Sequence, residues 1–244
     1  MPTRALIIAI GKYPSLADQM AGTLDETLQA PRNFRRWLLE KKKVKPENLL
    51  FCSEPGVDGE TTYPATREGI KLALLKLIQE GRDNTEELYV AFSGHGYAQL
   101  AFADEVIANV LLASDYKDSV VTAESALKLE PIVRHLRTKM GPGEHYYFID
   151  ACRVGRGEQF EASDLIINLP RSQKEEPKES LLFSTAVGEV ATVNEQFGRA
   201  LIDGLGGRGR AKTWFDDGGK PPKLVVRFGS LAEFIKKRMA PRSP

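Results

Sequence analysis

Five short, nearly continuous apolar runs recur along the chain, each closed by turn residues. They are RALIIAIG (4–11), NLLFCS (48–53), ELYVAFSG (87–94), HYYFIDAC (145–152) and SLLFSTAV (180–187). Runs of this kind predict strands buried on both faces, as in a mostly parallel sheet covered by helices. Helical periodicity fills the gaps between them. Thr66 is placed to cap REGIKLALLKLIQEG, in which Ile70, Leu74, Leu77 and Ile78 share one face and Gly81 closes the end. PRNFRRWLLEKK opens with Pro31 at a position suited to a first helical residue. SALKLEPIVRHLR is interrupted by Pro131, which leaves two turns, a kink or a late start as alternatives. FGRALIDGLGG and SLAEFIKKRM complete the helices. The alternation of strand and helix predicts an α/β fold, a sheet sandwiched between helices in one domain over residues 1–244.

Two stretches lack periodicity. Residues 155–179 end in a charged, proline-containing segment expected to be mobile. Residues 206–223 are rich in Gly and Pro and read as a long loop. The closing PRSP resembles the start of a linker, so a domain taken from a longer chain, with flanking regulatory domains, is expected.

Composition changes this picture little. Hydrophobic residues at 42% and charged residues at 27% are ordinary for a globular chain with a core. A net charge of +1 gives no global pull towards nucleic acid or anionic membrane. The local basic excess after residue 206 reads as a solvated loop and helix face, so no nucleic-acid partner is expected. No apolar stretch approaches the ~18 residues of a membrane span. Two cysteines, Cys52 and Cys152, form neither a disulfide framework nor a CxxC metal site, which points to a reducing, cytoplasmic compartment. Cys52 follows apolar residues and is expected in the core.

Candidate chemistry sits at two strand ends. Parallel sheets gather functional groups outside the carboxyl ends of their strands. Here the third run ends in SGHG, at His95, and the fourth in DACRVG, at Cys152. On adjacent strands the two side chains would face each other, and a cysteine is a useful nucleophile beside a proton acceptor such as histidine. Gly94 and Gly96 are expected to let backbone approach a substrate, and the N–H groups of Gly96 and Cys152 to bind a developing oxyanion. The turn after the first strand, IGKYPS, has no GxGxxG, and no GxxxxGK[ST] occurs anywhere, so the phosphate-cradling loops of a nucleotide-binding enzyme are missing.

FSGHG followed by FIDACRVG resembles the caspase–metacaspase clan of cysteine peptidases, whose histidine lies about 50 residues before the cysteine. The resemblance extends to ALIIAIGKY, GTLDET and SLLFSTAVGEVATVNEQFGRALIDGL. It is closest to the bacterial metacaspase-like proteins, or orthocaspases. It implies a three-layer sandwich with a six-stranded, mostly parallel sheet, Cys152 as nucleophile and His95 as acid/base. Animal caspases carry Gln two residues before the nucleophile; Asp150 stands here. Metacaspases carry Asp there and cut after Arg or Lys. Similarity to them implies a P1 pocket, for the residue before the scissile bond, built from Asp25, Ser93 and Asp150. Carboxylates around one slot select a cation by charge-assisted hydrogen bonds.

The clan also places an activation linker where residues 155–179 fall, with Arg171, Lys174 and Arg156 as candidate self-cleavage sites, Arg171 foremost. Asp104 and Glu105 resemble acids that help to bind calcium in some metacaspases, but Glu158 and Glu161 do not match the rest of such a site. No metal site or cofactor is therefore assigned, and calcium activation is not expected. His135 and His145 are expected in surface or hydrogen-bonded structural roles. The implied partner is a protein or peptide with a basic P1 residue, bound by a monomer or weak dimer. The alternative is a catalytically silent caspase-like interaction module, against which stand the retained His95 and Cys152.

Overall fold

The computed structural model describes residues 1–16, 28–101, 105–117, 125–156, 162–172, 175–189, 196–216, 218 and 222–240. The chain divides into two compact units, Met1–Val193 and Asn194–Pro244.

The first unit is built on a six-stranded sheet. Its strands are β1 (Thr3–Ile10), β2 (Leu49–Glu54), β3 (Tyr63–Pro64), β4 (Glu87–Ser93), β8 (Glu144–Asp150) and β10 (Lys178–Phe183). They lie in the order β10-β8-β4-β1-β2-β3, and every pairing is parallel. Five of the six coincide with the apolar runs. The sixth is a two-residue edge strand containing Pro64, which an edge tolerates and a pattern search passes over.

The sheet is buried on both faces. Leu6, Ile8 and Ile10 of β1 pack with Val90, Phe92 and Tyr147 beneath α2 (Arg67–Gly81) and α3 (Leu129–Met140). On the other face, Phe34 of α1 (Gln29–Glu40) meets Phe148 edge-on at 5.7 Å and Tyr89 at 6.3 Å. Helix, sheet and helix thus form three layers. The Thr66 hydroxyl accepts from the Gly69 N–H at 3.2 Å, capping α2 as its sequence predicts. Helix α1 begins two residues before Pro31. Helix α3 starts late, with Pro131 as its third residue, where a missing N–H leaves no helical bond unmade. Cys52 is fully buried, and burial pushes its thiol up to about 12.

A second sheet, not evident from the apolar runs, contains β5 (Gly96–Leu100), β6 (Val106–Leu112), β7 (Ala126–Lys128) and β9 (Gly155–Arg156) in the order β7-β6-β5-β9. Strands β5 and β9 pair in parallel, whereas β5–β6 and β6–β7 are antiparallel. Part of the aperiodic stretch 155–179 is anchored. Leu165 and Ile167 are buried in the core, and the Lys139 ammonium donates to the Leu169 carbonyl. Alternating apolar residues there provide a buried face that the charged tail of the same segment masks in composition.

The second unit contains α4 (Gln196–Leu205), β11 (Lys212–Phe215), β12 (Lys223–Val226) and α5 (Phe228–Met239). The stretch read as a loop over 206–223 includes one strand of the antiparallel β11–β12 hairpin and the start of the other. Gly204 lets the two helices approach: a methyl group there would lie 2.4 Å from the Leu231 side chain.

Candidate active site

His95 and Cys152 lie in two short chain segments that cross from the parallel sheet to the small sheet side by side. Strand β4 passes through Gly94 and His95 into β5, and β8 passes through Ala151–Val154 into β9. Ser93 and Asp150 are Cα partners on one side of the crossing, Ala98 and Gly155 on the other. Each candidate residue is therefore two positions past the first rung and three before the second. Parallel strands lie about 4.8 Å apart, so equal offsets bring His95 and Cys152 alongside one another. Two bonds stitch the crossing, Gly94 N–H to the Asp150 carbonyl at 3.1 Å and Ala98 N–H to the Val154 carbonyl at 3.0 Å.

The glycines flanking His95 make room for neighbouring protein atoms. A methyl group on Gly94 would lie 2.5 Å from the Tyr13 hydroxyl. One on Gly96 would lie 2.7 Å from the Val110 carbonyl, 3.0 Å from the Ala151 Cβ and 3.2 Å from the Cys152 carbonyl oxygen. Tyr13 had no assigned role in the sequence. Its hydroxyl accepts from the His95 N–H at 2.7 Å, and its ring lies 4.6 Å from the imidazole. Burial lowers the pKa of His95, which favours the neutral ring that can accept a proton.

The Leu112 N–H donates to the His95 carbonyl at 3.0 Å, making Gly96–Leu111 a non-hydrogen-bonded pair of the antiparallel ladder. The Gly96 N–H consequently points away from β6. Cys152 is half-buried, and its neighbours are firmly held. The Ala151 carbonyl accepts from the Thr185 hydroxyl at 2.9 Å. The Arg153 guanidinium donates to Asn109 Oδ1 at 2.9 Å and lies 4.1 Å over the Phe183 ring.

Ala9, Ser93 and Asp150 form one rung across three adjacent strands. Residues alternate faces along a strand, so this rung lies on the same face as Phe148, towards α1. Ser93 is buried. Burial raises the pKa of Asp150, opposed by the nearby Ser184 hydroxyl, which is buried and has no other partner. Among the described residues no cation pairs with Asp150. Asp25 lies outside the described residues.

The candidate cleavage sites differ in setting. Arg156 is in β9 opposite Gln99, with its guanidinium 5.4 Å over the Tyr97 ring. Arg171 is exposed, but its neighbour Ser172 donates its N–H to the Thr138 carbonyl at 2.8 Å and its hydroxyl to Asp83. Lys174, Asp104, Glu158 and Glu161 lie outside the described residues, whereas Glu105 is exposed just before β6. The ring of His135 bonds the Leu165 backbone. His145 departs from expectation: it is fully buried, and neither ring nitrogen has a hydrogen-bond partner.

A histidine and a cysteine at neighbouring strand ends, on a six-stranded parallel sheet between helices, define a caspase-like α/β fold. Residues 2–212 match the caspase-domain peptidase family model, and the chain belongs to that family. It is 25% identical over 260 residues to a protein from a Desulfuromonadales bacterium named as a probable protease. That alignment covers 99% of this chain and 30% of the relative, so the chain spans about three-tenths of the relative's length. The family match supports a cysteine-peptidase domain. No described helix is long and apolar enough to cross a membrane.

Proposed function

We propose that the chain is a metacaspase-like, or orthocaspase-like, cysteine endopeptidase that cleaves proteins after Arg or Lys. The carrying observation is the equal bracketing of His95 and Cys152 between the Ser93–Asp150 and Ala98–Gly155 rungs. His95 takes the Cys152 thiol proton, and the sulfur attacks the carbonyl carbon before the scissile bond. The Gly96 N–H, directed away from β6, and the Cys152 N–H stabilise the oxyanion. His95 then protonates the departing amine as the C–N bond breaks, leaving a thioester. Water, deprotonated by His95, hydrolyses the thioester and restores the thiol. The nucleophile, acid/base and oxyanion donors all come from the chain, so these steps need no cofactor.

Asp150 and Ser93 line the P1 slot, with Asp25 contributing a second carboxylate. A half-buried carboxylate without a countercharge is costly, and a guest guanidinium supplies the missing charge. Self-processing is assigned to Arg171, with Lys174 and Arg156 as further sites. The protein acts in the cytoplasm as a monomer or weak dimer, alongside flanking regulatory domains.

A fluorogenic peptide amide with Arg at P1 tests this function. Wild type is expected to release the fluorophore and Cys152→Ala to release none. No turnover by correctly folded wild type, with or without calcium and after limited proteolysis, would favour a catalytically silent interaction module instead.

A further inference from the structure

Tyr13 stands 82 residues before His95 in sequence and directly against it in space. Its side chain is only 2% exposed. The hydroxyl accepts from the His95 N–H at 2.7 Å and donates to the Leu112 carbonyl at 3.3 Å. The Leu112 N–H donates in turn to the His95 carbonyl at 3.0 Å. These three bonds close a circuit that fixes both backbone polar groups of His95 where the chain leaves one sheet for the other. The phenol ring also braces the imidazole, with the planes tilted by 41°. Gly94 completes the arrangement, because any larger residue would collide with the hydroxyl.

We propose that Tyr13 is a positioning residue that fixes the backbone and ring plane of His95 for proton exchange with Cys152. The proposal rests on reading these two residues as the reacting pair. Burial keeps the phenol protonated well beyond its ordinary range, so one hydroxyl serves as acceptor and donor together. Removing it leaves a buried N–H and a buried carbonyl unpaired, and the strand exit must shift to satisfy them. Displacement of an acid/base group by about 1 Å costs on the order of 100-fold in rate.

The test compares Tyr13→Phe, which keeps the ring and loses the circuit, with Gly94→Ala, which displaces the hydroxyl without removing it. His95→Ala serves as the reference. Two readouts are used: kcat and KM on the Arg peptide amide, and the pH profile of Cys152 alkylation by iodoacetamide, which needs no substrate. Tyr13→Phe is expected to lower kcat about 10- to 100-fold with KM within about twofold. Its alkylation profile should move towards that of His95→Ala, and Gly94→Ala should move it the same way. If Tyr13→Phe is folded and only its unfolding midpoint falls, Tyr13 is structural and the proposal fails. If it does not fold, Gly94→Ala decides by the same criteria. Should wild type hydrolyse no peptide while the alkylation profiles still shift, positioning stands and the peptidase reading fails. An unaltered profile in His95→Ala removes both.

Discussion

Ser93 and Asp150 face each other across β4 and β8 as Cα partners, two residues before His95 and Cys152 on their respective chain segments. Ser93 and Asp150 therefore share a register with His95 and Cys152. In the proposed peptidase, a substrate side chain that reaches Asp150 carries its carbonyl towards Cys152. This coupling follows from parallel strands alone, because equal offsets along neighbours remain equal in space.

Asp150→Asn keeps the shape of the slot and removes its charge. A guest guanidinium then loses its partner in a desolvated site, a change worth about 2–5 kcal/mol, or roughly 30- to several-thousand-fold in kcat/KM. Cleavage of an Arg peptide should fall by that factor, while Cys152 alkylation stays near the wild-type rate. Unchanged Arg cleavage would remove Asp150 from the P1 assignment.

Self-cleavage after Arg171 meets a structural obstacle. Ser172 is tied by its N–H to Thr138 and by its hydroxyl to Asp83, so the bond must come free before it can enter an active site. Ser172→Ala removes one tie and is expected to speed cleavage at that bond several-fold. Intact-mass measurements over time would show the two fragments, and Arg171→Ala should abolish them. A single uncut mass in active wild type would show that processing there is not required.

Much of this arrangement was legible in the sequence because burial on both faces leaves a continuous signal. Leu6 to Ile10, Leu88 to Phe92 and Tyr147 to Ile149 meet helices on either side, so no polar alternation interrupts them. The small sheet left no such mark. Gly96–Leu100 mixes Gly and Gln with apolar residues, and Ala126–Lys128 runs straight into a helical pattern. Residues 155–179 read as aperiodic because charges dominate the segment, yet Leu165 and Ile167 bury at alternate positions. His95 and Cys152 stood out through strand ends and glycines, which are local features. Tyr13 did not, since no spacing links a residue after the first strand to a histidine after the fourth. The signal that could have exposed it was Gly94, which implied a close neighbour without naming it.

The lowered pKa of His95 carries its own consequence. A ring that resists protonation stays neutral, and able to accept the thiol proton, at pH values where an exposed histidine is charged. The acid limb of kcat/KM should therefore fall below the ordinary histidine pKa of about 6.5. A pH–rate profile on the Arg peptide measures it directly. An acid limb above that value would mean that another group governs the loss, or that His95 gains stabilising charge when substrate binds.

Acid unfolding could mimic that limb, and His145 is the residue expected to cause it. Its ring is fully buried on β8, with no partner at either nitrogen, and burial lowers its pKa to about 4. Above the ordinary value of about 6.5 the ring is neutral in folded and unfolded chains alike and adds no pH dependence. Between there and about 4, the unfolded chain takes up a proton that the folded chain refuses, so stability falls as pH falls. The full loss is about 3 kcal/mol, at 1.36 kcal/mol for each pH unit. His145→Leu replaces two unpaired buried nitrogens with apolar surface and has nothing to protonate. Denaturant unfolding at pH 7 should show the variant at least about as stable as wild type, with its advantage growing by about 3 kcal/mol by pH 4. A difference that stays flat with pH would show that the His145 ring is charged in the folded protein or relieved by a partner. If the growing advantage is found, the pH–rate profile belongs on the His145→Leu background, where the fold outlasts the titration of His95.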